Sequence, residues 1–262
     1  SINNHNKVHE EQNMFFKKYI KKSFDNIEFV HGIPKVFFVC WFGGYKKNMP
    51  LMSYKRYESF KSLVKNIEIP VILLTFENYK YFELKGYPIH KSFDYLTANH
   101  KSDYLRAYLL HHYGGGYHDI KFREKSCLNE FDRDNWLLDD NIWMYGRREK
   151  NPDCIGYPPG KDYIKKEYNI LVTMCWIICK KNTEYTRNLL DSINNVLDSN
   201  YQNLINNPGF KSSGYRTLSE QNKNKYPLRW LEIMGEIFHP LMLKYNKHIK
   251  YGFPDALKKS YK

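Results

Sequence analysis

The stretch Asn99-His-Lys-Ser-Asp-Tyr-Leu-Arg-Ala-Tyr-Leu-Leu-His-His-Tyr-Gly-Gly-Gly-Tyr-His-Asp-Ile-Lys-Phe122 reads as a helix, a glycine stop and a short strand. Asn99 or Ser102 suits the helix start, and Asp103 in the first turn complements the helix dipole. Leu105, Tyr108, Leu109 and His112 recur at helical spacing, which predicts a buried stripe. His111 and His112 close the last turn, and Gly114 stands where a left-handed cap is wanted. Tyr117 to Phe122 reads as extended. With a side-chain period of two, Tyr117, Asp119 and Lys121 share one face, and His118, Ile120 and Phe122 the other. Asp103 and Arg106, at i and i+3, share a helix face and can reach one ligand or each other. A packed role is expected for His118, on the opposite face of the strand.

Working outward, Ile33 to Trp41 is a continuous apolar run, the pattern of a strand buried on both faces, and Phe42-Gly43-Gly44 ends it as a loop. Leu51 to Lys65 reads as an amphipathic helix and Ile69 to Thr75 as a second buried strand. The order β-α-β-α-β implies an α/β protein with a mostly parallel, twisted sheet flanked by helices. Ligands of such sheets bind beyond the carboxyl ends of the strands, so the Trp41–Gly44 loop and Asp119 are candidate site elements. Further on, Trp136 to Leu138 and Ile142 to Tyr145 are candidate strands. Residues 151–160, with three prolines and two glycines, read as a mobile loop over the site. Leu171 to Cys179 is another buried strand, Thr183 to Asp198 a helix, and residues 206–225 an exposed loop. Leu231 to Asn246 carries Glu232, Glu236 and His239. Residues 1–30 form an N-terminal helical arm with Met14, Phe15, Tyr19 and Ile20 as its apolar stripe, and residues 31–262 one domain.

Aromatic residues make up 17% of the 262 and apolar residues 42%, which excludes a disordered chain. No apolar run approaches the roughly 20 residues that span a bilayer, so a soluble, cytoplasmic protein with at most peripheral membrane contact is expected. The net charge of +13 invites a nucleic-acid reading, yet the lysines are scattered, as at Lys17-Lys18 and Lys258-Lys259, and no nucleic-acid motif is present. The five cysteines form no Cys-x-x-Cys pair; Cys40, Cys175 and Cys179 lie in apolar runs and read as buried free thiols of a reducing compartment.

The run Ser102-Asp103-x-x-Arg106, followed by Tyr113-Gly114-Gly115-x-Tyr117-x-Asp119, resembles the sugar-binding region of DXD-containing glycosyltransferases. These include glycosyltransferase family 32, the capsular polysaccharide synthesis proteins and, more distantly, the clostridial toxin glucosyltransferases. Ile33-Pro34-Lys35-Val36 through Trp41-Phe42-Gly43-Gly44 resembles the first strand and nucleotide-contacting loop of the same enzymes, so the resemblance covers roughly the first half of the chain. It implies a GT-A-like fold and transfer of a sugar, with retention, from a nucleoside diphosphate sugar to a hydroxyl of a glycan, polysaccharide or lipid-linked acceptor. UDP is favoured over GDP because Trp41 and Tyr117 resemble the uracil-binding aromatics of the toxin enzymes. It further implies that Trp41, Phe42, Gly43 and Tyr117 contact the nucleotide, that Asp103 and Arg106 hold donor hydroxyls and phosphate, and that Asp119 holds ribose, sugar or a Mn2+ or Mg2+ ion.

The second acid of Asp-x-Asp is absent, and Lys121 occupies its place. Either Asp119 keeps the metal with help from the late region, or the Lys121 ammonium itself offsets diphosphate charge. A third reading is a degenerate copy. Glu232, Glu236 and His239 follow i, i+4, i+7 spacing, which is either a solvated helix stripe or a contribution to the site. On the second reading Glu236 is catalytic and His239 a metal ligand beside Asp119. The functions competing with glycosyl transfer are a nucleotide-sugar-binding pseudoenzyme and a basic nucleic-acid-binding protein.

Overall fold

The computed structural model describes residues 2–209 and 225–256. In chain order these form α1 (Ile2–Lys17), a ribbon of β1 (Phe29–Val30) and β2 (Ile33–Pro34), then β3 (Phe37–Cys40). A second ribbon of β4 (Tyr45–Lys46) and β5 (Met49–Pro50) leads to α2 (Tyr54–Asn66), β6 (Val71–Leu74), α3 (Ala98–His112) and β7 (Gly115–His118). The remainder comprises β8 (Met144–Arg148), β9 (Val172–Cys179), α4 (Glu184–Asn206), α5 (Gly235–Lys244) and β10 (Ile249–Lys250).

Six strands pair in the order β10-β8-β9-β7-β3-β6. β3 runs parallel to both β6 and β7, and β10 parallel to β8, while β9 alone is antiparallel to its neighbours β7 and β8. The period of two divides each strand between two cores. Phe38 and Cys40 of β3, Tyr117 of β7, and Ile177 and Cys179 of β9 enter the core shared with α3, α4 and α5. Phe37, Val39, Trp176 and Ile178 enter the other, shared with Phe16 of α1 and Tyr57, Phe60 and Leu63 of α2. The result is the expected α/β arrangement, a mostly parallel sheet flanked by helices. Among the described residues no helix is long and apolar enough to cross a membrane.

The local signals place the central helix well. Its cap is Thr97, whose hydroxyl accepts from His100 N, so α3 begins before the anticipated Asn99 or Ser102. Packed between sheet and α4, it is buried nearly all round rather than along one stripe. Gly114 takes φ +68, and the next residue, Gly115, φ +95. β7 ends at His118 instead of reaching Phe122, because pairing with β9 stops at His118 opposite Trp176.

Other expectations need correction. Trp136–Leu138 is no strand: Arg133–Leu138 is a kinked 3-10 turn in which Asp134 and Asn135 take φ 54 and 52, and the Trp136 indole donates to Glu130 O. Residues 151–160 do not cover the site; Gly156 packs against the Gly235 backbone and donates its N–H to His239 Nδ1, which pins the loop to α5. In α1 Phe16 is buried, while Met14 of the predicted stripe is exposed. α4 continues past Asp198 to Asn206. Most of the predicted 206–225 loop, and Lys258-Lys259, lie outside the described residues.

A Cβ at Gly114 would sit 2.7 Å from Ile33 Cγ2 and 2.8 Å from Lys181 N, whereas at Gly86 (φ +86) nothing lies within 4 Å. Gly114→Ala is therefore expected to cost about 3 kcal/mol, overpacking added to left-handed strain, and Gly86→Ala about 1 kcal/mol. Urea unfolding of the two variants checks this, and equal losses would show that the tight corner contributes nothing.

Candidate active site

The carboxyl ends of β3 and β7 and the first half of the antiparallel β9 meet at one end of the central strands, where they line a cavity of about 320 Å³. Trp41, Phe42 and Gly43 come from the end of β3, Asp119 and Lys121 from the end of β7, and Asp103 and Arg106 from α3. Tyr117 lines it too, so the two sequence blocks converge on one site.

At its floor lies the Arg106 guanidinium. Its Nη1 donates to Met174 O at 3.0 Å, and Nη2 lies 3.3 Å from Asp103 Oδ1, 3.2 Å from Tyr117 Oη and 3.3 Å from Asp119 Oδ1. The guanidinium carbon stacks 4.2 Å from the centre of the Tyr117 ring. Burial alone would make so enclosed a cation easier to deprotonate, but Tyr117, Asp119 and Asp103 outweigh it and Arg106 stays charged. Burial pushes the Asp103 carboxyl up to about 7, against the pull of Arg106 and with a further push from Asp119. The Tyr117 phenol is raised well above its ordinary value, chiefly by burial, so it stays protonated and donates to Asp119 Oδ1 at 2.8 Å.

Asp119 is fixed through its backbone as well. Its N–H donates to Cys175 O at 2.7 Å. Arg123 Nε donates to His118 Nε2 at 2.9 Å, which leaves His118 Nδ1–H to donate to Asp119 O at 2.6 Å. Burial, then the Arg123 charge, lowers His118 to about 3, so it is a neutral packed ring stacked on Trp176, as expected from its strand face.

Trp41 is half-buried at the mouth. Its indole N–H donates to Leu51 O at 3.2 Å, and the Arg56 guanidinium lies 5.4 Å from the ring centre. A Cβ at Gly44 would meet Leu51 O at 2.2 Å, so only glycine lets the loop close on this anchor. The Phe42 ring, which also lines the cavity, packs edge-on to Phe76, Tyr79 and Phe93 and so holds the loop.

The late cluster does not join the site. α5 starts only at Gly235, so Glu232 precedes the helix and the i, i+4, i+7 face does not exist. Glu236 is paired with Arg229 at 2.8 and 3.2 Å. His239, fully buried, accepts from Gly156 N through Nδ1 and faces Val172 O and Glu149 through Nε2. Neither lines the cavity. The late region supplies Trp230 and Leu231 instead. His100 holds them: Nε2 lies 2.9 Å from Arg229 O and 3.1 Å from Trp230 O, and Nδ1 2.9 Å from Tyr226 Oη. Arg56 is a further lining residue that spacing missed, since a lone arginine in an amphipathic helix carries no motif.

Among the described residues the cavity walls carry the cations Arg56, Arg106 and Lys121 and the carboxylates Asp103 and Asp119. Such a set, beside an indole and fixed carboxylates, suits an anion joined to a flat ring and a polyol.

A family model described as capsular polysaccharide synthesis protein matches residues 1–206 of the chain. Among solved structures, PaToxG glycosyltransferase is similar over 80% of this chain and 69% of its own, at 18% identity and a TM-score of 0.41. No curated protein matches.

Burial lowers His100 from 6.5 to about 4. Between these values the unfolded chain binds the extra proton, so stability present above pH 6.5 is lost as pH falls toward 4. His100→Gln is expected to flatten this loss by up to roughly 3 kcal/mol. Urea unfolding at pH 7 and pH 4.5 measures it, and an unchanged difference would refute the assignment.

Proposed function

The chain belongs to the capsular polysaccharide synthesis protein family, and we propose that it transfers a sugar from a nucleoside diphosphate sugar, a UDP-sugar above others, to a hydroxyl of a glycan or polysaccharide. The observation that supports this reading is the convergence of Trp41 with the Asp103–Arg106–Asp119 cluster in one cavity beyond the strand ends.

In this reading the Trp41 indole carries the base, its plane set by the Leu51 bond. Asp103 and Asp119 accept hydrogen bonds from sugar and ribose hydroxyls. Tyr117, whose hydroxyl is spent on Asp119, positions that carboxylate rather than touching the nucleotide. Arg106 keeps the two carboxylates apart and oriented before a ligand arrives, so little reorganisation is left to the reaction. In a retaining transfer the bond from the anomeric carbon to the diphosphate oxygen breaks and its electron pair leaves with the diphosphate. The acceptor oxygen then bonds to the anomeric carbon from the same face, and its proton passes to the departing diphosphate. Trp230, which also lines the cavity, is assigned to the acceptor in this reading.

The divalent cation of related enzymes finds a poor donor set here. Asp119 Oδ1 already accepts from Tyr117 and Arg106, and Asp103 from Arg106 and Asn99. No group of three or more His, Cys, Asp or Glu assembles among the described residues. At the second acid's place stands an ammonium. A divalent ion about 4 Å from a single positive charge is repelled by roughly 8 kcal/mol at an effective dielectric near 20. The described residues do not fit the ion, and no step above passes through one.

Asp119→Ala and Asp103→Ala are each expected to lower hydrolysis of the donor sugar at least about 100-fold, the scale of a lost transition-state contact, with circular dichroism unchanged. Screening UDP- and GDP-sugars for released monosaccharide measures this. Near-normal rates in both folded variants would overturn the site, and donor binding with no release in the wild type would indicate a binding protein instead.

A further inference from the structure

We propose that a second cleft, on the far side of α3 from the candidate active site, binds a neutral pyranose unit of a glycan; that this glycan is the acceptor chain rests on the glycosyl-transfer reading above. The two sites share one helix. Asp103 and Arg106 line the first cavity, while Tyr104, Tyr108, His111 and His112 line the second, of about 620 Å³. At 3.6 residues per turn the two sets face opposite sides of α3. The other walls of the cleft are the turn at residues 84–88 and α4.

The first observation is an exposed aromatic ring that is held in place. Tyr87 is 58% exposed, yet its turn is fastened. Leu84 and Tyr87 bridge each other, and the Tyr108 hydroxyl accepts from Leu84 N at 2.8 Å and donates to Tyr87 O at 2.6 Å. The Tyr87 ring leans on His112 with centres 4.8 Å apart, and His112 leans on Tyr108 at 4.4 Å. A stack of three rings rooted in the core thus ends on an aromatic ring open to solvent. Such a ring receives the C–H face of a pyranose with little ordering left to do.

The second is the set of polar groups beside it. Arg187, Asp191 and Asn194 follow at i, i+4 and i+7 on α4 and share the face that lines the cleft. Among the described residues Arg187 and Asp191 make no ion pair, and their side chains carry no hydrogen bond. The Asn194 amide oxygen is shut off from solvent and has no hydrogen-bond partner among the described residues. Folded proteins seldom leave such a group unpaired, and a ligand hydroxyl can satisfy it. A carboxylate on the same face as the guanidinium disfavours an anion and suits a neutral ligand rich in hydroxyls, which planar side chains can bridge in pairs.

The third is His111. Its Nδ1–H donates to Thr186 Oγ1 at 3.0 Å, and the Thr186 hydroxyl passes its own hydrogen to Thr183 O. That fixes the tautomer and leaves Nε2 as an acceptor. Burial, then the charges of His112 and Arg187, lower His111 to about 4 against the pull of Asp191, so the ring is neutral at pH 7. Acceptors from His111, Asp191 and Asn194 and donors from Arg187 therefore surround one aromatic platform.

The test is a microarray of defined neutral oligosaccharides probed with the full chain, each bound oligosaccharide then titrated. The wild type is expected to bind at least one. Tyr87→Ala is expected to bind it about tenfold more weakly, and Tyr87→Trp, which keeps a flat ring, within about threefold of the wild type. Asp119→Ala is expected to bind it as the wild type does, and Tyr87→Ala to hydrolyse donor sugar without acceptor at the wild-type rate. No bound oligosaccharide, or equal binding by the wild type and Tyr87→Ala, would overturn the proposal. Binding lost in Asp119→Ala but kept in Tyr87→Ala would put the glycan in the first cavity and also overturn it, while supporting the transfer reading. Binding that depends on Tyr87 in a chain that hydrolyses no sugar nucleotide would uphold the cleft and overturn the transfer reading, and with it the assignment of the glycan as acceptor.

Discussion

Everything at the site turns on a guanidinium that has been taken out of water. Arg106 is 5% exposed and satisfies its charge with Asp103, Asp119, the Tyr117 hydroxyl and the Met174 carbonyl. A buried ion pair adds little net stability against an apolar replacement, yet removing one partner strands the other and costs several kcal/mol. The cluster therefore behaves as a unit. It joins α3 and β7, neighbours in the chain, to β9 some way further on, and it does so with groups that a polyol or phosphate ligand would also use. Preorganisation here is the same thing as structural cohesion.

The sheet makes that possible by running one strand backwards. β7 ends at the cavity, and because β9 is antiparallel its opening residues lie beside that end. Two of its carbonyls then face the site, Met174 O accepting from Arg106 and Cys175 O from Asp119 N. A parallel neighbour would present its own carboxyl end there instead. The triple glycine serves the same corner. A Cβ at Gly116 would lie 2.4 Å from the Phe37 ring, so the strand can cross β3 this closely only without a side chain.

How much of this the sequence discloses depends on how local the cause is. Asp103, Arg106, Gly114, Tyr117 and Asp119 were legible because helix and strand periods fix their faces within one short segment. Trp41 was legible as the last residue of an apolar strand. The failures share one origin, a helix or strand assumed to run where tertiary contacts stop it. Glu232, Glu236 and His239 lose their common face because the chain turns until Gly235, and His239 is drawn inside by Gly156 and Val172. Trp136 bends into a turn to reach Glu130 O. Nothing near Trp230 announces that His100, far upstream, will hold its backbone.

That last contact decides how the two walls of the cavity relate. His100 and Lys101 are both fully buried at the start of α3, one reaching forward to Arg229 O and Trp230 O, the other back to Leu96 O at 2.5 Å. Phe76 and Phe93 flank the Lys101 ammonium at 5.6 and 5.7 Å. The helix that presents Asp103 and Arg106 is thus the helix to which the Trp230 segment is tied. Asp119, by contrast, is held by β9 and by His118, independently of that end of α3. Displacing the start of α3 would carry Asp103 and Trp230 together while Asp119 stays, so Arg106, bonded to both carboxylates, is the joint across which any such movement is resisted.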